Sequence, residues 1–198
     1  MKIAMPPNDT KMRELILHVA KKSENDDKFG AVKLNKILFY ADFYSFVKRG
    51  KPITGLEYFA LSEGPAPRQM LPIIKSMEAA KDIAIKKVSC GRPNPKSVVV
   101  ALRDPDYSKL DAEDVVIADF IIEKFKGMTG TDLTNMSHEF SGWLSAFYDH
   151  GEKTTIPYSS ARFDVQTFEF LGIEKPPLAA KFIEHGIQLS RKLAKGAT

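Results

Sequence analysis

The sequence predicts an α+β fold, mostly helical, with about six helices around a central helix and a small antiparallel β-hairpin beside them. Three observations carry this. The stretch from Lys33 to Gln69 begins as a helix with two apolar stripes: Leu34, Leu38 and Ala41, and, starting one residue earlier, Val32, Phe39, Phe43 and Phe46. At three- and four-residue steps such side chains lie one above another on a helix, and two stripes mean burial on more than one side. Further segments show single helical stripes. The runs Ile83 to Val88 and Ser97 to Leu102 are β-rich and flank the turn-forming CGRPNPK, which reads as a hairpin with a long tip.

In chain order, Asn8 to Thr10 offer N-caps for a helix whose stripe is Met12, Leu15, Ile16, Val19 and Ala20. The polar run Ser23 to Lys28 ends it, and Gly30 leads into the central helix. Lys48, Arg49, Gly50 and Lys51-Pro52 stop that helix, with cations at the negative end of its dipole, then a glycine and a proline. A short extended run, Leu56 to Leu61, and the turn Glu63-Gly64-Pro65-Ala66-Pro67 lead into a helix over Met70, Ile73, Ile74, Met77 and Ala80. Pro72 falls in its first turn, where a missing N–H does no harm.

After the hairpin, Ser108 or Asp111 caps a helix through Lys126 with Val116, Ile117, Phe120, Ile121 and Phe125 apolar. Gly127 and Gly130 bracket a break, and Thr131 is the expected cap of a short helix bearing Leu133 and Met136. Trp143, Leu144 and Phe147 continue the apolar face, and Trp143 is expected in the core. Gly151 to Ser160 reads as irregular. These elements make one domain over residues 8–161, followed by a C-terminal extension, 162–198. In that extension Leu178, Phe182, Leu189 and Leu193 suggest a last helix, either part of the core or an amphipathic partner-binding segment.

Composition bounds the function. Hydrophobic content of 43% and charged content of 27% suit a soluble globular protein, and a formal charge of +4 falls short of a dense basic patch for nucleic acid. A lone cysteine, Cys90, cannot form an internal disulfide or a cysteine metal site, and it fits a reducing cytoplasm. No apolar run approaches the ~18 residues of a membrane span, and Met1 to Pro7 lacks a signal-peptide core, so the expected location is cytoplasmic. His18, His138, His150 and His185 are far apart, without HxxxH, HxH or CxxC spacing, and both glycine-rich phosphate loops are missing. No metal, cofactor or catalytic residue is therefore expected. Ser137 and His138 are adjacent, the wrong geometry for a nucleophilic dyad on one helix. The expected role of His138 is to bond a carbonyl or carboxylate and hold the short helix against Trp143.

Lys33 and Lys36 open the central helix near Tyr40, and read either as a solvated face or as a positive contact for a partner. Glu63-Gly64-Pro65 reads either as a recognition turn or as a sharp bend. The run Lys33-Leu34-x-Lys36-x-Leu38-x-Tyr40-Ala41, then an apolar short strand and Gly64-Pro65, resembles the signature of the Panacea domain of SocA-like antitoxins from bacterial and phage toxin–antitoxin systems. The resemblance continues at Leu133, Ser137-His138 and Trp143. It departs at Gly142, where the family often has a proline, and the tail after Phe163 matches nothing in the pattern.

The resemblance implies an antitoxin that neutralises a cognate protein toxin, encoded next to it, by direct binding without catalysis; family members pair with toxins of different kinds. Lys33, Lys36, Tyr40, Glu63, Gly64 and Pro65 are then the candidate toxin contacts, and Leu34, Leu38, Ser137, His138 and Trp143 the structural part of the motif. As surface contacts, the two lysines should tolerate charge reversal without loss of fold. The alternatives are a DNA-binding transcriptional regulator or a non-catalytic protein-interaction adaptor. The regulator needs a recognition helix rich in Arg, Asn or Gln beside a tight turn, and no such stretch stands out.

Overall fold

The computed structural model describes residues 8–89, 95–163 and 169–172. Helix α1 (Asp9–Lys22) starts at Asn8, whose side chain accepts from the Lys11 N–H at 2.9 Å. Helix α2 (Ala31–Arg49) is the central element, with all residues from Ile37 to Phe46 buried. Around it stand α3 (Met70–Ala79), α4 (Ala112–Lys124), α5 (Gly130–His138) and the short α6 (Ser141–Leu144), which runs on into a π-helical turn, Ser145–Asp149. The predicted α+β, mostly helical class is what the chain adopts. The expected hairpin is β3 (Ile83–Val88) against β4 (Lys96–Ala101), with Ile83 opposite Ala101 and Val88 opposite Lys96. Cys90 and the expected last helix after Pro177 lie outside the described residues.

A second sheet went unread in the sequence. Strand β1 (Tyr58–Leu61) pairs antiparallel with β2 (Gly64–Pro67) on one side and β5 (Thr155–Ile156) on the other. What looked like a turn leading straight into α3 is a two-residue hairpin loop, Ser62-Glu63, followed by a strand. Prolines 65 and 67 masked it, yet β2 is an edge strand, where a missing N–H costs the sheet nothing. Its inward residues and those of β1 close one end of the core: Tyr58 meets Phe39 and Phe43 at centroid distances of 5.5 Å, and Phe140 sets its edge against the same two rings at 5.1 and 5.5 Å.

Three smaller expectations are corrected. Thr129, not Thr131, caps α5, its hydroxyl accepting from the Asp132 N–H while Asp132 accepts from the Thr129 N–H. This reciprocal pair satisfies two helix-end donors at once. Val32 and Val116 belong to the helical stripes by spacing but are exposed, Val32 on the first turn of α2 and Val116 on the outer side of α4. Ion pairs fasten the layers: Arg103, after β4, grips the buried Glu14 of α1 through both guanidinium amines (2.8 and 2.9 Å) and Asp82 at 2.6 Å.

Trp143 is 3% exposed, stacks on Phe147 at 4.8 Å and donates from Nε1 to the Leu61 carbonyl at 3.0 Å. Trp143→Ala is expected to destabilise the fold by ~3–5 kcal/mol, the usual range for a large buried aromatic. Urea melts of both proteins measure this, and coincident midpoints would remove Trp143 from the core.

Candidate functional site

The residues singled out on α2 turn out to face inward. Lys33 is 1% exposed and Lys36 2%, and Tyr40 is fully buried. A buried ammonium needs partners for its three N–H groups, and Lys33 has them: Asp26 Oδ2 at 2.6 Å, the Phe125 carbonyl at 2.7 Å and the Met128 carbonyl at 2.9 Å. Phe125 is the C-cap of α4, so the cation sits on the negative end of that helix while opening its own. The picture of two solvated lysines whose charges can be reversed at no cost to the fold is thereby corrected.

Lys36 donates to the Glu63 carbonyl at 2.6 Å, from inside the hairpin loop. Gly64 stands against the same ammonium: a Cβ there would overlap both Lys36 Nζ and Ser137 Oγ and approach His138, and its φ of +92° is one that side chains resist. Ser137 Oγ donates back to the Thr134 carbonyl at 2.8 Å. His138 stacks on Trp143 at 4.2 Å, nearly parallel. Three separated pieces of the sequence, Lys36, Gly64-Pro65 and Ser137-His138 with Trp143, thus meet in one buried joint that holds the β1–β2 loop against α5 and α6. Gly142 belongs to the joint as well, since a Cβ there would overlap Ser160 Oγ and crowd Phe140.

Electrostatics follow the burial. Desolvation pulls the Lys36 ammonium down to about 7, only partly opposed by Glu63. His138 is lowered too, by burial first and then by the neighbouring Lys36 charge. Its expected hydrogen-bonding role is met in part: a backbone bond with Ser62 opposes that shift, while Nε2 is buried with no hydrogen-bond partner among the described residues.

Deeper on α2, Asp42 is fully buried, and burial raises its carboxyl against the bonds that favour the anion. Those bonds come from the Thr54 N–H (2.7 Å), the Thr54 hydroxyl and the Tyr58 hydroxyl (2.8 Å), with the Tyr158 hydroxyl 3.4 Å away. Sequence reasoning passed over Asp42. The one signal was an acid amid ten residues that are otherwise apolar, aromatic or serine. Asp114, which the sequence does not set apart from its acidic neighbours, is buried between Lys11 and Arg49, each at 2.6 Å.

The solvent side of the joint is different in kind. Glu63 is exposed, while Gly64 and Pro65 are buried behind it. On the helix beside it, Trp143 and Phe147 point in, and Leu144 and Tyr148, one residue further along, point out. Among the described residues, no group of three or more His, Cys, Asp or Glu side chains gathers as a metal site, and no helix is long and apolar enough to cross a membrane.

Two outcomes test this geometry. Lys33→Met keeps the aliphatic stem but strands Asp26 and two carbonyls, and should cost about 3 kcal/mol, read as a shift in urea midpoint. For Lys36, the unfolded chain holds the proton up to about 10.5 and the folded chain releases it near 7, so between these values the unfolded state binds more protons. Stability should therefore rise with pH across that window, by no more than about 1.4 kcal/mol per pH unit for one proton, and level off below it. Lys36→Met should lose this component when melts of the two proteins are compared from pH 6 to 10 (roughly the titration window).

Compared with known proteins, the chain finds no match among curated proteins. A family model described as antitoxin SocA-like, Panacea domain, matches residues 34–144, from the first turn of α2 to the end of α6. That span holds the whole joint around Gly64 and covers more than half of the 198 residues; the chain belongs to the SocA-like antitoxin family with a Panacea domain.

Proposed function

We propose that this chain is an antitoxin that neutralises a cognate protein toxin by direct, stoichiometric binding. The observation that carries the reading is the family match over the segment that builds the joint. The geometry supports it further: the motif's polar groups are engaged inside the fold, where they hold the Ser62-Glu63 loop and α6 in fixed relation. Residues that build a rigid support for a surface suit recognition of a folded partner, because preorganised contacts lose less entropy on binding. Among the six candidate contacts, Glu63 is the one on the exposed side, and it is the proposed point of touch. Lys33, Lys36, Tyr40, Gly64 and Pro65 act from behind it. The proposed partner is the product of a neighbouring reading frame, met in the cytoplasm, and no turnover is involved.

Titration of that toxin's activity with this chain should fall linearly and reach its floor near one equivalent. A floor reached at a small fraction of an equivalent would mean catalytic inactivation and defeat the proposal. Activity that never falls would do the same.

A further inference from the structure

The face outside the joint has a composition that narrows the partner. Leu144 is 39% exposed and Tyr148 72% exposed, one helical turn apart on the same side of the π-helical segment. They stand on rigid backing: the Tyr148 ring lies edge-on to Trp143 at 5.9 Å and to Phe147 at 5.4 Å, and Trp143 is itself bonded to β1. A π-helical turn in a helix re-aims the side chains that follow it and is frequent at functional positions. Exposed apolar side chains on such a support are the kind that anchor interfaces.

The rim around them is acidic, against the sign of the chain. The sequence from Glu139 to Lys153 carries three carboxylates, Glu139, Asp149 and Glu152, and one cation, Lys153, in a chain whose formal charge is +4. Glu63 joins them across the loop, because Glu152 Oε1 accepts from the Ser62 N–H at 3.3 Å. Ion pairs occupy many of the chain's other acids, among them Glu14, Asp26, Asp82, Asp111, Asp114 and Asp119. Glu63, Asp149 and Glu152 take part in no ion pair among the described residues. Carboxylates outside any close ion pair, set around an apolar centre, are complementary to a surface with the opposite arrangement, and such rims steer encounter and set partner choice.

We infer that Leu144 and Tyr148, rimmed by Glu63, Asp149 and Glu152, form the toxin-docking face, and that the toxin meets it with a basic surface, an apolar anchor surrounded by lysine or arginine. This rests on the antitoxin reading and adds the place and the chemistry of the contact.

Hydroxyl-radical footprinting of the unaltered chain with the purified toxin of the neighbouring reading frame tests it without any variant. Tyr148 and Leu144 should be protected in the complex, and the toxin segment protected with them should carry Lys or Arg. Titration calorimetry then grades the parts. Leu144→Asp with Tyr148→Asp should weaken binding by roughly a hundredfold or more. Asp149→Lys with Glu152→Lys should weaken it by about tenfold at low salt and less at high salt. Leu71→Asp, at an equally exposed apolar residue on α3, should bind as wild type does, and thermal melts should show all three variants folded at the temperature of the titration. Full neutralisation with Tyr148 unprotected, or an acidic toxin surface in contact, overturns the docking face and leaves the antitoxin reading standing. Protection of Tyr148 with toxin activity untouched supports the face and overturns that reading. A toxin that does not bind at all removes both.

Discussion

Helix α2 is held to α4 at both ends by ions, and the rest of the molecule is arranged around that clamp. At its start Lys33 reaches the carbonyls that close α4; at its end Arg49 reaches Asp114 in the first turn of α4, at 2.6 Å. The two helices run in opposite directions, so each charge meets the helix pole that favours it: a cation on the C-terminal carbonyls of α4, an anion at its N-terminus. Lys11 brings α1 to the same Asp114, and Asp26 brings the α1–α2 connection to the same Lys33. Four segments share two ionic points. Displacing α2 against its neighbours would disrupt its close-packed rings and also separate buried charges from their partners, which costs several kcal/mol more. The ions and the packed rings thus agree on one register, and the apolar contacts supply the bulk of the burial.

The same logic explains why the most buried helix carries so many polar groups. Asp42 fastens the segment after α2 through Thr54, and β1 through Tyr58, with the Tyr158 hydroxyl nearby. Lys36 fastens the β1–β2 loop. Each is expensive to bury and each is satisfied, wholly or in part, by a different segment, so together they define where those segments can stop. The chain spends stability here on uniqueness of arrangement.

What the sequence disclosed follows from which signals are local. The helices over the described residues, the Asn8 cap, Pro72 in a first turn and the β3–β4 hairpin depend on neighbours in sequence and are present, although Val32 and Val116 leave their stripes for solvent. Trp143 was legible because a ring of that size gains much from burial and falls one turn from Phe147 on the same apolar face. The inward lysines were not legible: the carbonyls they bind, those of Phe125, Met128 and Glu63, lie 27 to 95 residues away, and a lysine on a helix looks the same whether it meets water or a distant carbonyl. The family signature placed Lys36, Gly64, Ser137 and Trp143 in one pattern, but only their convergence shows why those residue types are needed. Strand β5 escaped for the same reason, since two residues carry no periodicity and take their form from β1.

The joint around Gly64 has two sides with opposite constraints, and this bears on how one fold can serve recognition. Inside, space is exhausted: Gly64 admits no Cβ, Lys36 has one carbonyl to bind, and Gly142 is pressed against Ser160. A change there acts on the fold first and on any partner only through it. Outside, Glu63, Leu144, Tyr148 and Glu152 are open to solvent, and surface changes usually alter stability by no more than about 0.5 kcal/mol. Partner preference can therefore be rewritten on the outer face without disturbing the support beneath. In this chain the division follows the path of the backbone: at Glu63 the carbonyl turns inward to Lys36 and the side chain turns out.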